Sequence, residues 1–349
     1  MPKKGVLDNI KLESLNQPIA IFRENALAIL SPGQGVQQPG MGEEIYLASE
    51  KAKEVFDIAS EVTGLDMSEV CFGNQTSRLE ETLVAQPAIA AVTISEYYHL
   101  KKLGLRPDLG MGHSMGEVPL MAMVGALSIR DAFRLLQIRA EATYKASEDR
   151  PGGMTVVLGL MRDQVKEISA PILSSGRAAL ANLNSKTQHV MSGDHEQIQR
   201  LEEIVRQLKI SQRIRVGYKR LPIPGAFHSA YHMEGAARDF YESAQTFSFS
   251  DPEFEVMLNN TRYLSELGND NLPQYLSNQL TEGVDFAGAT ERVINDGVRN
   301  FIEVGPIGPK ARYKTLSGLI MSDFAQRVKI VEIRETEGEQ TASRDEQQI

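Results

Sequence analysis

Residues 110–117 read Gly-Met-Gly-His-Ser-Met-Gly-Glu, which sets Ser114 between two glycines at the spacing G-x-S-x-G. A serine so placed can act as a nucleophile. On a sharp strand-to-helix turn its hydroxyl stands clear of the sheet, and glycines on either side avoid clashes with the neighbouring strand and helix. The start of the following helix, near Met115 and Gly116, turns free N–H groups and a positive dipole end toward the site. Such groups stabilise an oxyanion. Taken alone, the pentapeptide is equally compatible with a structural glycine-rich loop.

A nucleophilic serine needs a base, and the chain has 6 histidines: His99, His113, His189, His195, His228 and His232. His99 falls on a helical pattern and reads as structural. His113 adjoins the serine, and its ring should point away from the hydroxyl. His189 and His195 belong to a small α+β segment. His228, in PIPGAFHSAYH, follows a Pro/Gly loop where the chain re-enters the larger unit. Loops on a rigid scaffold carry chemistry, which makes His228 the candidate base. In an ordinary α/β-hydrolase esterase the histidine lies nearer the C-terminus, so the order here argues against that fold.

These residues need elements to position them. ALAIL (26–30) reads as a buried strand running into the Gly/Pro loop SPGQGVQQPGMG. Residues 43–60 and 85–104 are helical, with Gly104 as a stop. Residues 128–148 form a helix with Ser128 as N-cap and Asp131 three residues on. From 153 to 223 the order is strand (154–160), helix (RDQVKEISAPIL), strand (178–184), strand (188–194), helix (HEQIQRLEEIVRQL) and strand (213–223). That β-α-β-β-α-β order is ferredoxin-like, and it interrupts a larger α/β unit. Strands at 254–260 and 300–306 flank a helix, DFAGATERVINDG. The fold class expected is therefore α/β, with a large unit over 26–152 and 224–330 and an inserted small subdomain over 153–223. Residues 1–25 read as an N-terminal extension. The polar tail 335–349 reads as disordered.

Composition narrows the function class. The 349 residues are 42% hydrophobic and 24% charged, ordinary values for a globular protein. A net charge of −9 argues against sequence-independent nucleic-acid binding. Cys71 is the one cysteine and cannot form an internal disulfide. The N-terminus lacks the apolar core of a secretory signal, and the apolar run LMAMVGAL is too short to cross a bilayer. The expected location is the cytoplasm.

Six motifs then occur in order: GQGVQ after the first strand, AQPAI, GHSMGE, Arg139 in QIRAE, GAFHS, and EVGP after a late strand. Together they resemble the malonyl-CoA:acyl-carrier-protein transacylase family, which includes the acyltransferases of polyketide synthases, over about residues 26 to 320. The resemblance implies a hydrolase-like α/β subdomain carrying a ferredoxin-like insertion, in agreement with the element order. It implies Ser114 as nucleophile and His228 as base. Gln34 and the backbone N–H of Met115 would form the oxyanion hole, and Arg139 would grip the substrate's free carboxylate. Gln279 would orient His228 through its backbone carbonyl. In the GAFH box, Phe227 would crowd the α-carbon and exclude an extra methyl, worth only ~1–3 kcal/mol. Ser31 and Val118-Pro119-Leu120 depart from the family pattern and bear on the shape of the acyl pocket.

The implied activity is transfer of a malonyl group from coenzyme A to the phosphopantetheine thiol of an acyl carrier protein, in fatty-acid or polyketide assembly. It needs no metal and no cofactor, and the chain would act as a monomer, away from nucleic acid and membrane. An acyl-carrier-protein hydrolase, a carrier-to-carrier transferase of a larger acyl group, and an inactive docking scaffold are the alternatives. Carrier proteins are usually acidic, so a basic patch should receive one. Arg206, Lys209, Arg213, Arg215, Lys219 and Arg220 are the candidates. Arg213, Arg215 and Lys219 share parity and would project from one strand face. Lys310, Arg312 and Lys314 are the second choice.

Overall fold

The computed structural model describes residues 22–23, 25–211, 215–307 and 314–331. Its strands are β1 (Leu27–Ser31), β2 (Leu109–Gly112), β3 (Gly153–Leu158), β4 (Ala178–Ser185), β5 (Gln188–Gly193), β6 (Gly217–Arg220), β7 (Glu255–Met257), β8 (Asn300–Glu303) and β9 (Lys329–Ile330). They form two sheets.

The larger sheet has the order β7-β2-β1-β8-β9, and its paired strands run parallel. Strand β1 is apolar from Leu27 to Leu30 because both its faces are covered, as parallel sheets require. Ile29 packs into one core with Phe56, Ile89 and Phe133. Ala28 and Leu30 pack into the other with Phe286, Phe301 and Ile320. The register pairs Ser31 with Gly112, so β1 and β2 end side by side. Open parallel sheets bind ligands beyond the carboxyl ends of their strands. Both the loop after β1 and the Ser114 turn leave from that edge.

The smaller sheet is antiparallel, with the order β4-β5-β3-β6. That is the ferredoxin-like arrangement, with the first and third strands central and the last at an edge. The helices Arg162–Leu173 and His195–Ser211 cover one face through Val157, Val165, Met191, Ile198 and Leu201. The other face carries Met154, Val156, Ala181 and Val190, which pack with Leu221, Ile223 and Phe227. Strand β4 is tied to the larger unit at Val284: Leu183 N donates to Val284 O (2.8 Å) and Val284 N to Ala181 O (2.9 Å). The small-sheet strands lie within 153–223 and those of the large sheet within 26–152 and 224–330.

Several elements differ from the sequence expectation. The helix expected over 43–60 is two, Glu43–Ala48 and Glu50–Thr63, because Ser49 is extended and its hydroxyl caps the second by accepting Ala52 N at 3.3 Å. Of the strand expected over 213–223, residues 213 and 214 lie outside the described residues, and among the rest the strand runs over Gly217–Arg220. Leu221 N still bonds Met154 O (3.0 Å), but Pro222 has no N–H to continue the ladder. The strand expected over 254–260 ends at Met257, and the chain then reverses through Thr261 at φ 63°. Helix Thr315–Phe324 and strand β9 were not foreseen. Helix Thr82–Lys102 is buried nearly all round over its first fourteen residues rather than on one stripe. The tail 335–349 and, of the N-terminal extension, residues 1–21 and 24 lie outside the described residues.

Candidate active site

Strand β2 ends at Gly112, and the chain turns at once through the short 3₁₀ segment Ser114–Gly116 into helix Glu117–Met123. Ser114 takes a left-handed conformation, φ 52°. For a non-glycine residue that costs on the order of 1–3 kcal/mol and persists only where its surroundings hold it. Here Asn259 Oδ1 accepts the Ser114 N–H at 2.7 Å, and Asn259 Nδ2 donates to Gly112 O at 2.5 Å. The flanking glycines are steric requirements. A Cβ on Gly112 would lie 2.5 Å from Glu117 N, and one on Gly116 would lie 2.6 Å from Pro32 O.

Ser114 Oγ lies 2.7 Å from His228 Nε2. His228 Nδ1 lies 2.8 Å from Gln279 O and 3.0 Å from Glu282 O. Two carbonyls can only accept, so Nδ1 carries the hydrogen and Nε2 offers its lone pair to the serine. His228 also has a left-handed backbone, φ 59°. Burial, reinforced by the positive charge of Arg139, lowers its pKa to about 4. The ring is thus neutral at physiological pH, the state in which it can take a proton. No acidic side chain bonds Nδ1 among the described residues; backbone carbonyls hold the ring.

Arg139 sits on the buried face of helix Ile129–Asp149, in line with Ala132, Leu136 and Thr143. Its Nη2 is 3.3 Å from Ser114 Oγ and 3.2 Å from Gln279 Oε1, and its Nη1 is 3.0 Å from Gln86 Oε1. These partners are neutral, and Nε has none in a residue only 5% exposed. Burial lowers its pKa to about 10, which leaves it cationic at neutral pH. The nearby carboxylate is Glu117, whose hydrogen bonds go to Asn259, Tyr275 and Gln279. Burial raises the Glu117 pKa to about 7, against the pull of those donors and of Arg139.

Gln34 is half-buried on the loop after β1, with Nε2 3.3 Å from Thr82 Oγ1. The loop runs against the serine turn: a Cβ on Gly33 would lie 2.7 Å from His113 O. Met115 buries its side chain in the core, and its backbone lies in the first turn after the serine. Phe227 packs against both the large core and the open face of the small sheet, between the subdomains. His113 turns its ring away from Ser114, with Nε2 2.9 Å from Asn184 Oδ1. His189 Nε2 bonds Leu160 O (3.0 Å), and His232 Nε2 bonds Asp194 Oδ1 (2.9 Å).

The basic patch is described only in part, and Lys310 and Arg312 of the second choice lie outside the described residues. Arg213 lies outside the described residues, and Arg215 precedes β6, so the parity argument does not reach them. Lys219 stands opposite Val156 in the ladder and shares its face, the one that also packs Phe227. Arg206 is paired with Glu203 and Arg220 with Glu202 (3.0 Å). Lys314 is bound to Glu96 at 2.5 Å and is not a free cation.

Sequence reasoning missed Gln86, Glu117, Asn259 and Tyr275. Gln86 and Glu117 stand inside AQPAI and GHSMGE, and both are polar residues in apolar helical runs. That was the available signal, because such groups are buried only with partners. Asn259 and Tyr275 had no comparable signal.

The chain matches the acyl transferase domain family over residues 30–309. It is 31% identical over 312 residues to a malonyl CoA-acyl carrier protein transacylase of Bacillus subtilis strain 168, covering 89% of this chain and 94% of that protein. The corresponding protein of Staphylococcus aureus strain MSSA476 is 33% identical over 297 residues, 84% of this chain and 91% of that one. Among solved structures, the malonyl CoA-acyl carrier protein transacylase of Clostridium perfringens superposes with a TM-score of 0.79 at 30% identity, covering 89% of this chain and 94% of that one. With matches of this extent around a hydrogen-bonded serine–histidine pair, the chain belongs to the acyl transferase domain family.

Proposed function

We propose that the chain transfers a malonyl group from coenzyme A to the phosphopantetheine thiol of an acyl carrier protein, by way of an acyl-serine. Ser114 Oγ attacks the thioester carbonyl while His228 Nε2 takes its proton. The oxyanion is met by the Met115 N–H and by Gln34, whose amide has a second N–H beyond the one on Thr82. On collapse, the C–S bond breaks and the coenzyme A sulfur takes the proton from His228 Nε2. The carrier's thiol then gives its proton to Nε2 and attacks the serine ester, which releases Ser114 as the hydroxyl. Every proton in these steps sits on Ser114, His228 or a thiol, so the chain is assigned no metal and no cofactor of its own.

The observation that carries this reading is Arg139. A buried guanidinium 3.3 Å from the nucleophile, bonded to neutral oxygens, suits an acyl group that brings its own carboxylate. Arg forms two parallel bonds to a carboxylate that Lys cannot reproduce. Phe227 would limit the α-carbon to malonyl rather than a methylated homologue, and Lys219 would help receive an acidic carrier. No helix among the described residues is long and apolar enough to cross a membrane; we place the chain, as a monomer, in the cytoplasm. The test is a pulse and chase. Label loaded from malonyl-CoA should move to holo-carrier protein on its addition. Release as free malonate at the same rate with or without carrier would mean a hydrolase instead.

A further inference from the structure

Glu117 is fully buried behind the serine turn, and its two carboxylate oxygens are used unequally. Oε1 accepts from Asn259 N (2.7 Å), Asn259 Nδ2 (2.8 Å) and Tyr275 Oη (2.8 Å). Oε2 accepts from Gln279 Nε2. That same Nε2 donates to the Ser114 carbonyl at 3.0 Å. With its NH₂ held by two acceptors, the Gln279 amide must turn its oxygen the other way, where it accepts from Arg139 Nη2 at 3.2 Å. The backbone carbonyl of Gln279 meanwhile holds His228.

We infer that Glu117 is a positioning residue for acyl-group selection: by fixing the Gln279 amide it holds the Arg139 guanidinium where the carboxylate of the acyl group arrives. This rests on the proposal that Arg139 receives a carboxylate. A purely structural Glu117, anchoring the helix after the serine, would affect every acyl group alike. A positioning Glu117 affects malonyl and spares acetyl.

Glu117→Gln separates the two roles. The Gln oxygen can keep the three donors now on Oε1. Its NH₂ then faces the Gln279 NH₂, donor against donor. Relief requires the Gln279 amide to turn over, which sets its oxygen against the Ser114 carbonyl and its NH₂ against Arg139. The guanidinium loses its acceptor and shifts. A misplacement of ~1 Å can cost about 100-fold in rate, so the malonyl-to-acetyl ratio of loading rates should fall ~10–100-fold.

The experiment measures acyl-enzyme formation from malonyl-CoA and from acetyl-CoA by quenched intact mass, with thermal unfolding recorded for each protein. The set is wild type, E117Q, Q279M and the double variant. The ratio should fall in E117Q. In the Q279M background, where no amide remains to turn over, adding E117Q should change the ratio by no more than about twofold, since residues acting through one another are not additive. If E117Q alone fails to fold, the comparison of Q279M with the double variant decides. Equal loss of malonyl and acetyl loading in E117Q, additive losses in the double variant, or a double variant that does not fold where Q279M does, would each overturn the inference. A wild type without preference for malonyl would overturn the carboxylate reading and this inference with it; a preference that survives E117Q overturns this inference alone.

Discussion

Replacing Arg139 by alanine should cost malonyl loading far more than acetyl loading. The guanidinium is 5% exposed, and its hydrogen bonds run to Gln86, Gln279 and Ser114, none of them charged. A malonyl carboxylate brought into this site without the guanidinium would be a buried charge with no partner. Truncating one member of a buried charged pair costs ~2–5 kcal/mol. At about 1.4 kcal/mol per factor of ten, malonyl kcat/KM should fall ~30-fold to ~4,000-fold. Acetyl has no carboxylate to strand. Removing Arg139 also takes away the charge that helps depress the His228 pKa, so the base becomes more basic, not less. Acetyl loading should therefore hold or rise. Arg139→Lys should recover only part of the malonyl rate, because an ammonium cannot supply two parallel bonds. The assay is the initial rate of acyl-enzyme formation from each thioester at matched concentrations. An equal loss for both would refute the assignment of Arg139 to the carboxylate and make it a structural residue of the buried network.

Two further outcomes follow from the geometry. With the His228 pKa lowered to about 4, the neutral base persists far below the range of an ordinary histidine. Acetyl kcat/KM, which does not depend on the Arg139 carboxylate site, should stay flat from neutral pH down to about pH 5 and fall only below that as Nε2 is protonated, whereas a fall centred near 6.5 would place the base in a solvated setting. Lys219→Glu should slow transfer to carrier protein several-fold and flatten its salt dependence, with self-loading from malonyl-CoA unchanged; unaltered transfer would move the docking surface off the open face of the small sheet.

Legibility in the sequence followed how local each determinant is. Ser128 and Asp131 announce the start of the helix that carries Arg139, and the structure has Ser128 Oγ accepting Asp131 N at 3.0 Å. The hairpin of β4 and β5 is local too, as is the alternation that marks the small subdomain. The two glycines around Ser114 encode a close approach of neighbouring backbone that leaves no room for a Cβ. The network behind the serine is different. Asn259 reaches Glu117 across 142 residues of chain, and Tyr275 and Gln279 arrive from a further helix and its end. Their side chains converge only once β7 is docked beside β2 and the chain has reversed at Thr261. No periodicity in the neighbourhood of Asn259 carries that information. The shortened β6 shows the same limit in reverse. Residues 213–223 alternate well, but a strand extends only as far as it has a partner and an N–H to give, and Pro222 withholds one.

The mechanism turns on one covalent bond, between the acyl group and Ser114 Oγ. The most direct measurement is the intact mass of the full chain after brief incubation with malonyl-CoA, beside Ser114→Ala treated in the same way. Wild type should gain about 86 Da, the mass of a malonyl ester on one serine, and the alanine variant should gain nothing while keeping its thermal unfolding transition. A variant that still acquires the adduct would contradict the acyl-serine mechanism and put the nucleophile elsewhere in the chain.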